Sequence, residues 1–286
     1  MPLCSRPLAC RLRSMSMPHV LTIEDPDDTR VAEYRHMNDQ AIRRRMEGNH
    51  FFLSEGWLSI EHLIATGHRF RSVLLSPSRV NRFAPFLERP ELRGVQVFVA
   101  ANDVMRDIVG FDMPRAVVMS VDRQPLVSLS ELLASTDRLV VLEGLNDDAN
   151  VGAIARAARA FGVSALVLSP TTADPYYRRT VRVSMGEILH MQVARIERQG
   201  WPGALTKMHD AGFEIWAMTP DSRAANIWTT QVPRRLAMLF GAEGPGLTEE
   251  ATTLAGMQVR IPISDEVDSL NVGHAAAITL AAVARS

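Results

Sequence analysis

Cysteine is almost absent: Cys4 and Cys10 are the only two, both within the first ten residues. The fold therefore has no disulfide framework and no cysteine-based zinc site, a usage that fits a reducing cytoplasm. Lysine is scarcer still, since Lys207 stands alone among 31 lysines and arginines. Such an excess of arginine reads either as phosphate and guanine recognition or as plain codon composition, and decides nothing by itself. No uncharged apolar run reaches the roughly 18 residues that cross a bilayer, which argues against a membrane protein. A strong net charge is missing too. At -1 there is no global basic field, so any nucleic-acid surface must come from segregated charge.

What is present is an ordinary globular composition, 286 residues with 47% apolar and 22% charged. That is enough for two cores and excludes wholesale disorder. Residues 1–19 carry arginines and scattered apolar residues without a continuous apolar stretch, so a secretory signal is not expected. They read as a disordered extension. Residues 24–28, Glu-Asp-Pro-Asp-Asp, predict an acidic helix start, with the helix over Val31–Met46. Its end bears Arg43, Arg44 and Arg45, either a solvated helix terminus or a small phosphate-binding patch. Helices are then predicted at Trp57–Ala65, Arg79–Leu87 and Asn102–Ile108, and strands at Ser72–Leu75, Val95–Val99 and Ala116–Met119. This alternation implies a small α/β domain over 20–135, with 121–137 as a linker holding one helical turn.

Residues 136–286 alternate more strongly. Leu139–Leu142, Ala165–Leu168, Ile215–Met218, Leu236–Phe240 and Val259–Ile261 read as buried strands. Helices fit a segment starting near Asn150, then Gly203–Ala211, Leu247–Leu254 and Val272–Ala284. Short apolar strands separated by helices imply a mostly parallel sheet covered on both faces.

Three polar segments follow predicted strands, where ligands of open α/β sheets gather. In EGLNDDANVGAIARAARAF, residues 143–161, Asn150 suits an N-cap, and Val151, Ile154, Ala155, Ala158 and Phe161 form an apolar stripe. Arg156 points away from that stripe, toward ligand or solvent. In LFGAEGPGL, residues 239–247, glycines permit close backbone approach, but the spacing is neither G-x-G-x-x-G nor a P-loop. Glu243 sits there as a carboxylate at a strand end, or as a cap for the next helix. In IPISDEVDSLNVGHAAA, residues 261–277, Ser269 reads as an N-cap and His274 as a structural hydrogen-bonding residue. No H-x-x-x-H pair or acidic cluster supports a metal there, and none is expected.

Together, N-x-G-x-x-x-R-x-A, G-A-E-G-x-G and I-P-I with S-L-N-V, in this order over 150–272, resemble the SpoU/TrmH family of S-adenosylmethionine-dependent RNA ribose 2′-O-methyltransferases. The resemblance covers about residues 136–286. The first half resembles, in element order and position, the small RNA-binding domain preceding the catalytic domain in ribosomal-RNA members. The resemblance implies a Rossmann-like parallel α/β domain with a trefoil knot, and a homodimer to which the closing helix contributes. Arg156 is implied to contact the reacting ribose, with Asn150, Glu243, Ser269 and Asn271 positioning it, the ribose and the donor loops. A guanidinium keeps its proton in proteins, so Arg156 fits an anion stabiliser better than a base. Gly241, Ile261 and Leu270 are implied to meet the methyl donor, S-adenosyl-L-methionine, with Thr219 as a further neighbour. Ala242 and the two-domain layout rank ribosomal RNA ahead of transfer RNA. Gly273 departs from the serine common in this motif. The rival readings are a non-catalytic RNA-binding or assembly factor on this fold, and a methyltransferase acting on a small molecule or protein.

Overall fold

Short runs of valine, leucine and isoleucine bounded by glycine, proline and asparagine set the strands of this chain. The structure is a computed structural model describing residues 20–284. The expected extension at 1–19, with Cys4 and Cys10, lies outside the described residues. Two compact units meet at Gln124–Pro125.

The first unit holds β1 (Val20–Ile23), α1 (Gln40–Glu47), β2 (Phe51–Glu55), α2 (Trp57–Ala65), β3 (Phe70–Leu75), α3 (Val80–Leu87), β4 (Gln96–Ala100), α4 (Asn102–Val109) and β5 (Val117–Asp122). Among the described residues its sheet has the order β1-β4-β3-β5-β2. β1, β4 and β3 run parallel, while β5 is antiparallel to both β3 and β2. The helix expected over Val31–Met46 is interrupted. A 3-10 turn at Thr29–Tyr34, started by the Asp28 side chain on Arg30 N, stops at extended Arg35. His36 then takes a left-handed φ of 56°, and Asp39 caps α1.

This break changes the Arg43–Arg45 reading. Arg43 is 1% exposed; it donates to Glu47 Oε1 at 2.7 Å and to the carbonyls of Glu33 and Arg35 that the break leaves open. Of the three, only Arg44 and Arg45 are exposed. Tyr34 is buried nearby with its hydroxyl 2.7 Å from Ser72 Oγ, and burial pushes its phenol well above the usual range.

The second unit begins with α5 (Leu129–Ser135), where Ser128 and Glu131 form a capping box. Leu132 and Leu133 are buried in this unit's core, so the helix belongs here and the boundary falls before it, not at 135–136. There follow β6 (Arg138–Leu142), α6 (Asp148–Ala160), β7 (Ala165–Leu168), α7 (Arg178–Val183), β8 (Gln192–Arg195), α8 (Ala204–Asp210), β9 (Glu214–Met218), β10 (Ala225–Asn226), β11 (Leu236–Phe240), α9 (Glu249–Ala255), β12 (Gly256–Arg260) and α10 (Val272–Ala284). The sheet order is β10-β12-β9-β11-β6-β7-β8, and every pairing is parallel. This is the expected parallel α/β architecture. β8 and two-residue β10 were not foreseen.

Both faces are covered. Leu139, Val141, Ala237 and Leu239 pack with Leu205 and Met208 of α8 and Ala251 of α9. α6 packs against α7 and α10 through buried Val151, Ile154, Ala155 and Ala158. Each large aliphatic side chain removed from water contributes about 1.5–3 kcal/mol. Phe161, expected in the α6 stripe, is 41% exposed because it terminates the helix as its C-cap.

Candidate active site

From β6 the chain moves to β7 and β8 on one side, then returns through β9, β11 and β12 on the other. The reversal makes a topological switch point between β6 and β11, where a crevice opens at the carboxyl ends of parallel strands. The segments 143–150 and 241–248 leave those two strands. Here Asp147 rather than Asn150 caps α6, its carboxylate accepting from Ala149 N at 2.6 Å. The cap lies three residues before Asn150, which is thereby left within the first turn with its amide free to bond elsewhere.

It bonds to Asn271. The Asn271 Nδ2 group donates to Asn150 Oδ1 at 3.1 Å and to Glu243 Oε1 at 2.7 Å. Its Oδ1 accepts from Gly273 N at 2.9 Å and His274 N at 3.3 Å, opening α10. Asn271 is thus both the cap of α10 and the joint of three motifs. Ser269, expected as that cap, is exposed and does not serve as one. Glu243 likewise does not cap α9, a role taken by Thr248 on Ala251 N. At Gly273 a Cβ would stand 3.1 Å from Asn271 Oδ1 and 3.4 Å from Ala153 Cβ, so glycine fits where α10 and α6 draw close. His274 is exposed.

Beside this joint lies a cavity of about 340 Å³, within the range of small-molecule sites. Thr219, Gly241, Glu243, Ile261, Ser269, Leu270 and Asn271, all singled out in the sequence, are among its lining residues. Met218, Phe240, Ile263, Val272 and Ala275 add apolar surface. The site therefore combines apolar walls with loop backbone from three segments. Loop 241–246 closes on itself through Gly246 N to Ala242 O at 3.0 Å. A Cβ on Gly241 would lie 2.3 Å from the Gly246 carbonyl carbon, so glycine is obligatory there. Asn150 and Arg156 are not among the lining residues. Arg156 is exposed on α6, six residues beyond Asn150, hence about 9 Å along the helix and about 120° around it. Among the described residues no group of three His, Cys, Asp or Glu could hold a metal.

Glu143 belongs to the site's surroundings without being marked by any of the three motifs. This carboxylate ends the apolar run of β6, is 6% exposed, and accepts from Trp201 Nε1, Thr248 N and Thr248 Oγ1, each at 2.9 Å. An acid directly after four buried residues was the available signal.

A parallel α/β sheet with glycine loops at its switch point and an Asn–Glu–Asn joint beside a cavity is the setting of a small-molecule site, and it lacks the dinucleotide fingerprint. The SpoU rRNA methylase family matches residues 137–281, and the chain belongs to that family. An uncharacterized tRNA/rRNA methyltransferase of Mycobacterium tuberculosis is 37% identical over 260 residues, 89% of this chain and 88% of the relative. A 23S rRNA (guanosine-2′-O-)-methyltransferase of Ralstonia nicotianae is 28% identical over 210 residues, covering 71% and 82%. The crystal structure of an AdoMet-bound rRNA methyltransferase from Sinorhizobium meliloti superposes with a TM-score of 0.76 at 25% identity, covering 93% and 98%. The chain is accordingly a methyltransferase, and the methyl donor of its family is S-adenosylmethionine.

Proposed function

We propose that this protein methylates a ribose 2′-hydroxyl of structured RNA, with ribosomal RNA ranked before transfer RNA. The observation that carries the reading is the convergence of Asn150 and Glu243 on Asn271, which donates to both beside a cavity lined by the second and third motifs. In this reading the cavity takes S-adenosylmethionine, with the backbone of Gly241, Ile261 and Leu270 against the adenosyl group and Thr219 nearby. When bound, the donor supplies an electrophilic methyl on a sulfonium sulfur. The protein's tasks are then to hold the ribose in line with that methyl and to ease loss of the hydroxyl proton. Glu243 and Asn271 fix the loops against each other, and Ser269 lends a hydroxyl at the cavity wall. Arg156 steadies the developing alkoxide or the adjacent phosphate as a fixed cation.

Arg156 stands apart from the lining of its own chain's cavity, which supports a homodimer that brings Arg156 of one copy to the cavity of the other. The closing helix α10 contributes to that interface, and the donor loops are knotted. The first unit holds RNA, the second performs the transfer, and both act in the cytoplasm. Calorimetry with S-adenosylmethionine, followed by mapping of 2′-O-methyl sites in total RNA with and without the protein, tests the function. Absence of donor binding with RNA binding retained would make the protein a non-catalytic factor. A lost site in transfer RNA would reverse the substrate ranking. Mixing Arg156→Ala and Asn271→Ala chains, each inactive alone, restores activity in mixed dimers if the shared site is right, and restores nothing if each site is self-contained.

A further inference from the structure

Glu143 does not line the donor cavity, yet it touches both ends of the loop that does. Its backbone N–H donates to Phe240 O at 2.9 Å, extending the β6–β11 pairing by one bond past the last strand residue. Its side chain reaches the other end, taking Thr248 N on Oε2 and Thr248 Oγ1 on Oε1. Between these anchors run Gly241, Ala242, Glu243, Gly244 and Gly246, all part of the cavity wall. Trp201 Nε1 gives Oε1 a further bond, on the carboxylate oxygen that Thr248 N does not use.

The chemistry of this clasp is one-sided. The backbone N–H of Thr248 and the indole N–H of Trp201 can only donate, one to each carboxylate oxygen. A carboxylate can accept at every one of these positions; an amide cannot, because its NH₂ must face a donor in either orientation. Buried as it is, the group loses its bonds to water and depends on these partners.

We infer that Glu143 is a positioning residue for the methyl donor, clamping loop 240–248 at both ends so that its backbone keeps the shape of the donor cavity. The inference rests on the reading of that cavity as the S-adenosylmethionine site. Residues 143 and 248 meet only in the folded switch-point crevice, so the clamp and the cavity form together.

The test compares wild type, Glu143→Gln and Trp201→Phe as full chains. Thermal unfolding establishes that each is folded, calorimetry with S-adenosylmethionine gives the dissociation constant of the folded protein, and steady-state assays give the Michaelis constants for donor and RNA. For Glu143→Gln donor affinity falls about tenfold or more. For Trp201→Phe, which removes one donor and leaves the loop anchored, it falls about threefold. In both, turnover at saturating donor and the Michaelis constant for RNA stay near wild type. Trp201→Phe keeps the test open should Glu143→Gln fail to fold. Wild-type donor affinity in either folded variant overturns the inference. So does a fall in turnover at saturating donor with affinity unchanged, since that would place Glu143 in the chemical step. Failure of wild type itself to bind S-adenosylmethionine overturns the reading of the cavity instead.

Discussion

Replacing Gly241 by alanine adds one methyl group at the tightest point of the candidate site. The new Cβ would lie 2.3 Å from the carbonyl carbon of Gly246, 2.4 Å from Leu247 N and 2.6 Å from Gly246 O. Carbon atoms rest at about 3.5–4.0 Å, so the two sides of the loop must part by roughly 1.2 Å or more. All three opposing atoms are backbone, so no side chain can swing aside. Gly241 is not among the glycines with positive φ, which leaves steric approach, not dihedral strain, as the cause. Forcing extra volume into a packed place costs about 1–3 kcal/mol. The loop carries five lining residues of the cavity, so much of that cost should appear as lost donor affinity, about 5- to 150-fold at 1.4 kcal/mol per factor of ten. Calorimetry with S-adenosylmethionine measures it, and thermal unfolding run alongside shows whether the fold has absorbed the methyl. Ile261→Val, which leaves the backbone alone, should bind as wild type does. Equal donor affinity in Gly241→Ala and wild type would refute the argument that this loop's shape makes the site.

Arg43→Ala should destabilise the first unit by about 1.5–3 kcal/mol in urea titration, because buried Glu47 loses this partner while keeping Arg123, and two carbonyls lose their donor. A pH effect is expected at α5. The Ser128 side chain and backbone hold the Glu131 carboxyl below the usual carboxylate range, so its stabilisation is present above the unfolded value and disappears as pH falls through the folded one. Glu131→Gln should therefore be less stable than wild type near neutrality and equal to it at strongly acidic pH, by denaturant titration at both. RNA affinity should fall steeply with salt, and replacing Arg178, Arg179 and Arg182 by glutamine should flatten the log–log slope by up to about 2–3 units. An unchanged slope would make that helix an ordinary solvated surface.

Where the sequence was legible, burial on both faces made it so. Ala165–Leu168 and Leu236–Phe240 are continuous apolar runs of a parallel sheet and have the expected limits, as does α10. β8, Gln192–Arg195, escaped notice because it is an edge strand with polar ends, and β10 because two residues carry no pattern. In the first unit, β1 and β2 went unseen, and nothing in the periodicity of 31–46 announces the left-handed His36 that splits the helix. The burial of Arg43 follows from that split, since its acceptors are carbonyls that an unbroken helix would have used internally. At the site, Asn150, Glu243 and Asn271 were found through motif resemblance. Their contacts join residues 121 and 28 positions apart, beyond any local rule. Asp147 and Asn150 are both good caps by type, and only the structure shows which one opens the helix.

Asn271 spends its two ends on different tasks: the oxygen on the first amides of α10, the nitrogen on Asn150 and Glu243. The joint therefore inherits the fraying behaviour of a helix terminus. Each transient loosening of the first turn of α10 also releases the joint, and such openings need far less free energy than unfolding the sheet beneath. Warming should disarm the protein before it melts it, with activity fading while the strands stay paired, and cooling should restore it without refolding. A ligand seated against Leu270 and Val272 would suppress those openings. Occupancy of the cavity then acts as the bolt that keeps the helix end, and with it the three-residue joint, shut.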